Sequence, residues 1–71
     1  MEIEQEKFNT SMRKFLKKVG ITSQQKIEEA VKSEIERKKE LNNNIKVSVK
    51  LEIKEINLVH FIDGEICLKD N

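Results

Sequence analysis

The sequence predicts a small α+β domain, an αα-hairpin laid on one face of a small antiparallel β-sheet. Three observations carry this expectation. Phe8, Met12, Phe15, Leu16 and Val19 recur at intervals of three and four, and Ile27, Ala30, Val31 and Ile35 continue that stripe, as one face of a helix requires. Gly20 falls between the two groups, where a glycine can close a helix in the left-handed conformation. From Ile45 the apolar period changes to two, the signature of a half-buried strand. The predicted order is α-α-β-β, or α-α-β-β-β if the last segment folds into a meander, within a single domain over residues 1–71.

The first helix is expected at about residues 3–19. Glu2, Glu4 and Glu6 stand near its start and Lys17 and Lys18 near its end, the order that the helix dipole favours. Asn9 or Thr10 could instead cap a shorter version. A second helix is expected at about residues 23–40. Thr22 and Gln25 have capping-box spacing, with Ser23 as a rival cap. Glu28 and Glu29 stand early and Arg37, Lys38 and Lys39 late, and Asn42, Asn43 and Asn44 end the helix. Glu34 and Lys38 fall on the core-facing side, so its far end is expected over the rim of the core.

The strand expected at about residues 45–54 alternates cleanly. Ile45, Val47, Val49, Leu51 and Ile53 interleave with Lys46, Ser48, Lys50, Glu52 and Lys54. Lys54 to Asn57 form a connection without glycine or proline. Two readings fit the segment that begins at Leu58. Asp63-Gly64 is a strong type I′ hairpin signal, giving strands at about residues 58–62 and 65–69 and placing Val59, Phe61, Ile66 and Leu68 on one face. Alternatively, one strand runs from Leu58 to Leu68 with a bulge or kink at Gly64, turning Leu58, Ile62, Ile66 and Leu68 inward and Phe61 outward. The three-stranded meander is favoured.

Composition narrows the function classes. Seventy-one residues with 37% hydrophobic and 38% charged content suit a thin core under a solvated surface. A formal net charge of +1 gives no global field to attract nucleic acid or acidic membranes. No apolar run approaches the ~20 residues of a membrane span. The acidic, polar N-terminal residues do not resemble a signal or transit peptide. One cysteine allows neither an intrachain disulfide nor a zinc cluster, and a cytoplasmic location is expected.

His60 and Cys67 are the one histidine and the one cysteine. The meander would bring them near each other, and a Cys–His pair could serve as nucleophile and base. A small buried thiol and a rim histidine explain them better, with no third orienting group and no oxyanion-hole loop. No enzymatic activity, cofactor or metal is expected. Arg13, Lys14, Lys17 and Lys18 form a basic cluster on the side of the first helix away from its apolar stripe. That cluster is a candidate nucleic-acid patch, although a solvated helix face accounts for it. A helix-turn-helix motif fits poorly, because Glu28, Glu29 and Glu34 on the second helix would face phosphates.

Residues Phe8 to Val31 carry a pattern close to F-N-x-S-[IM]-R-K-F-L-K-x-V-G-[IV]-T-S-Q-x-x-I-E-x-A-V. This resembles the opening of an uncharacterised family of short bacterial proteins, and Ile62 to Leu68 resemble that family's ending more weakly. The resemblance implies a free-standing small bacterial protein and transfers no functional residues. The function expected is a non-enzymatic protein-interaction or regulatory module, self-associating as a homodimer. Its candidate interface is Leu58, Val59, His60, Phe61, Ile62 and Cys67, since Leu58-Val-His-Phe-Ile62 is apolar in both phases of a strand. A nucleic-acid-binding accessory protein using the basic cluster is the alternative; nucleic acid is not the expected partner, and no membrane is.

Overall fold

In a computed structural model, which describes residues 1–69, the chain forms one helix, α1 (Gln5–Glu36), then strand β1 (Asn44–Ile53), a short 3₁₀ turn (Lys54–Ile56) and strand β2 (Leu58–Cys67). The α+β class stands. The αα-hairpin does not, because the two expected helices are one. The chain divides into two compact units, Met1–Lys39 and Glu40–Asn71.

The helix runs for 32 residues, about 48 Å at 1.5 Å per residue. Its N-cap is Glu4, in extended conformation, with a side-chain oxygen accepting from the Lys7 N–H at 2.8 Å. The Glu4 carbonyl takes the Phe8 N–H at 3.0 Å, so Asn9 and Thr10 lie inside the helix rather than capping it. Gly20 is helical, without the positive φ expected of a cap. The energetic reason is direct. Glycine in a helix interior costs about 1 kcal/mol relative to alanine, whereas a break there would create two new helix ends, each with four unsatisfied backbone groups. The flanking Val19 and Ile21 are compatible with helix, and no proline intervenes.

The helix ends in a Schellman arrangement one turn before the asparagines. Lys38 adopts φ 59°, its N–H bonds the Ile35 carbonyl at 2.9 Å, and the Lys39 N–H bonds the Glu34 carbonyl at 3.1 Å. An apolar contact often accompanies this motif. Here Lys39 Nζ approaches a Glu34 carboxylate oxygen at 3.6 Å, and Arg37 approaches the other oxygen at 3.9 Å. Val19, Ser23, Ile27 and Val31, each four residues after the last, are half-buried. Phe15, expected in the core, is 53% exposed, and Phe8, Met12 and Leu16 are exposed with it.

In the second unit, β1 and β2 pair antiparallel over their full length, from Asn44 opposite Cys67 to Ile53 opposite Leu58. The connection is Lys54 to Asn57, as the sequence indicates. Asn57, at φ 54° and ψ 37°, donates its N–H to the Lys54 carbonyl at 3.2 Å. Asparagine tolerates that left-handed conformation better than most residues.

The hairpin expected at Asp63-Gly64 is replaced by continuous strand. Ser48 faces Asp63 and Val47 faces Gly64, with no shift of register on either side. Neither the three-stranded meander nor the bulge at Gly64 forms. A turn there would have left Ile45 to Ser48 without a partner. The straight strand satisfies the whole ladder and brings Ile62 and Ile66 onto the face of Val49 and Ile45. The Leu68 N–H, donated to the Asn43 carbonyl at 2.6 Å, carries the pairing one step further.

Candidate functional site

Residues directly opposite in an antiparallel pair project to the same side, and successive residues alternate. The β1–β2 register therefore defines two unlike faces. One carries the pairs Ile45–Ile66, Val47–Gly64, Val49–Ile62, Leu51–His60 and Ile53–Leu58. Eight of those ten positions are aliphatic. The other carries Asn44–Cys67, Lys46–Glu65, Ser48–Asp63, Lys50–Phe61 and Glu52–Val59. Along this second face Lys50 Nζ lies 4.0 Å from a Glu52 carboxylate oxygen, and Lys46, Ser48, Asp63 and Glu65 border a shallow depression.

The candidate interface residues are divided between these faces. Leu58, His60 and Ile62 join the aliphatic side, while Val59, Phe61 and Cys67 lie on the charged side. Phe61 is 59% exposed, Val59 54% and Ile62 54%. Phe61 is thus turned outward onto the polar face, the orientation that distinguishes one long strand from the meander. Ile56, in the connecting turn, is also exposed. Its signal in the sequence was an aliphatic residue in an otherwise polar connection.

His60 and Cys67 do not meet. They lie on opposite faces and seven residues apart along one strand, about 23 Å at strand rise. The proximity expected from a meander is absent with the meander itself. The Cys67 thiol is exposed and approaches the Lys69 carbonyl at 3.6 Å. Among the described residues, no three or more His, Cys, Asp or Glu side chains gather as metal ligands would, and no helix is long and apolar enough to cross a membrane.

Arg13, Lys14, Lys17 and Lys18 are exposed within the first half of α1. Arg13–Lys17 and Lys14–Lys18 are i,i+4 neighbours, a like-charge spacing that slightly opposes the helix. The ion pairs found among the described residues join other side chains: Lys26–Glu29, Arg37–Glu34, Lys39–Glu34 and Lys50–Glu52.

The architecture is thus that of a small α+β chain with one long helix and a two-stranded ribbon of unlike faces. The chain belongs to a family of unknown function, DUF6494, whose model matches residues 3–69. No curated protein and no solved structure matches it significantly.

Proposed function

We propose that this chain is a non-enzymatic protein-interaction module that self-associates. The observation supporting this reading is the aliphatic face of the ribbon, continuous from Ile45–Ile66 to Ile53–Leu58, together with exposed Val59 and Phe61 on the reverse side. A single two-stranded hairpin is at best marginally stable in water, and an extended exposed apolar surface favours coverage by protein. A second copy brings the same surface and the same strand edges, so a two-fold arrangement serves both copies at once, face to face or by extending the sheet edge to edge.

A cytoplasmic location belongs to this proposal and rests on the free Cys67 thiol, which reducing compartments preserve. A bacterial source also belongs to it and rests on the pattern from Phe8 to Val31. Sedimentation equilibrium across a concentration series tests self-association. A mass that rises with concentration is the expected result, and one independent of concentration opposes it.

A further inference from the structure

We propose that two copies join along the outer edge of β1, forming a four-stranded antiparallel sheet in the order β2-β1-β1-β2, with Val49 at the two-fold axis. The inference rests on the self-association proposed above and specifies its seam and register.

The ladder determines which backbone groups are available. The sheet has two strands, so each has one edge without a strand neighbour. The Leu68 N–H bonds the Asn43 carbonyl, which assigns the Asn43–Leu68 pair to the hydrogen-bonded class. Antiparallel pairing alternates strictly. Ile45, Val47, Val49, Leu51 and Ile53 therefore address β2, and Asn44, Lys46, Ser48, Lys50 and Glu52 direct their N–H and C=O groups to the outer edge. The side chains of these five residues are all exposed.

Charge then selects the register. Centred on Val49, the self-pairing places Lys46 opposite Glu52 of the second copy, twice by symmetry, and Ser48 opposite Lys50. On the other face it matches Ile45 with Ile53, Val47 with Leu51 and Val49 with itself, so every aliphatic residue meets an aliphatic partner. A two-residue slip one way, centred on Ser48, sets Lys46 against Lys50. The opposite slip, centred on Lys50, sets Lys50 against itself and Lys46 against Lys54. Opposite charges across strands are favourable and like charges are not, so the lysines that would block indiscriminate edge pairing exclude both two-residue slips. A slip of four residues either way pairs less of β1, which leaves the Val49-centred register, paired from Ile45 to Ile53. The β2 edge lacks this complementarity. Between Leu58 and Cys67 it carries Asp63 and Glu65 and no lysine or arginine, and His60 lies on the other face, so self-pairing within that span gives neither acid a cationic partner.

The seam leaves both aliphatic faces open and acts through strand count. It joins two aliphatic faces side by side into one and raises the strand count from two to four, above the threshold at which sheets with a hydrophobic face become independently stable.

Two experiments test the seam on the full chain. In a Cys67→Ser background, Val49→Cys is expected to form an intermolecular disulfide on mild oxidation. Non-hydrogen-bonded pairs bring Cα atoms to about 4.5 Å, within the range a disulfide spans. Phe61→Cys on β2 is the control and is expected to remain largely uncrosslinked. In the second experiment, Lys46→Glu and Glu52→Lys are sedimented separately and then mixed. Each variant opposes like charges across its own seam and is expected to weaken self-association roughly tenfold, taking two pairs at the usual cross-strand strength. The mixture restores both Lys–Glu pairs and is expected to form a heterodimer about as tightly as the parent chain. Ready crosslinking at Val49 and recovery on mixing support the seam. A dimer that crosslinks through Phe61→Cys but not Val49→Cys, or whose affinity ignores both charge reversals, overturns the seam and leaves self-association intact. A parent chain that stays monomeric overturns both.

Discussion

At the scale of single residues, the conformations that matter most sit where composition is least suggestive. Lys38 takes the left-handed position that closes α1, a role glycine fills at lower cost. Gly20, the residue suited to that role, is an ordinary helical residue with nothing within 4 Å of where a Cβ would stand. This exchange of roles makes two substitutions informative. Gly20→Ala is expected to stabilise by about 1 kcal/mol through helix propensity. Lys38→Gly is expected to stabilise by about 1 kcal/mol, offset in part by loss of backbone entropy. Thermal melts monitored by circular dichroism at fixed protein concentration check both. Destabilisation by Gly20→Ala would contradict a continuous helix. Gly64 is the third such position. A Cβ there would meet Val47 Cγ1 at 3.7 Å, an ordinary contact, and its φ is not positive. Gly64→Ala is therefore expected to stabilise by about 0.5–1 kcal/mol, whereas a hairpin turn at that site would be damaged by it.

At the scale of elements, legibility tracked the range of the interactions that decide each one. β1 was legible because its alternation leaves one choice of inward face, and its connection to β2 was legible because Lys54 to Asn57 separates two apolar patterns. The apolar stripe of α1 was legible in part, since Val19, Ile27 and Val31 are half-buried while Phe8, Met12, Phe15, Leu16 and Ile35 are exposed. Its continuity through Gly20 was not, because a local cap signal pointed one way and the backbone bonds of a whole turn pointed the other. β2 was ambiguous for a specific reason. Leu58 to Ile62 are apolar in both phases, so only pairing with all ten residues of β1, a non-local effect, overrides the Asp63-Gly64 turn signal. The candidate interface was legible as a segment but not as a surface, since Phe61 and Ile62 face opposite ways. The ladder also makes a prediction for amide exchange. The N–H groups of Val47, Val49 and Leu51, bonded to β2, are expected to be slow in dilute and concentrated samples alike. Those of Lys46, Ser48, Lys50 and Glu52 are expected to slow markedly only as concentration rises. Equal protection of both sets in dilute solution would contradict the assignment of the outer edge.

At the scale of the whole molecule, charge and association set the behaviour in solution. The formal net charge is +1, and Glu28, Glu29 and Glu34 share α1 with the basic cluster. Nucleic-acid binding tighter than about 10 μM at physiological salt is therefore not expected. A sub-micromolar complex that weakens steeply with salt and disappears on changing Arg13 and Lys17 to Glu would contradict this. The functional proposal stands or falls on association. Its sharpest test is sedimentation equilibrium of the unmodified chain, from dilute solution to about 0.5 mM, where even weak self-association registers. The expected outcome is an apparent mass that rises from 8.3 kDa towards twice that value as concentration increases. A mass that remains at 8.3 kDa across the whole series would refute self-association.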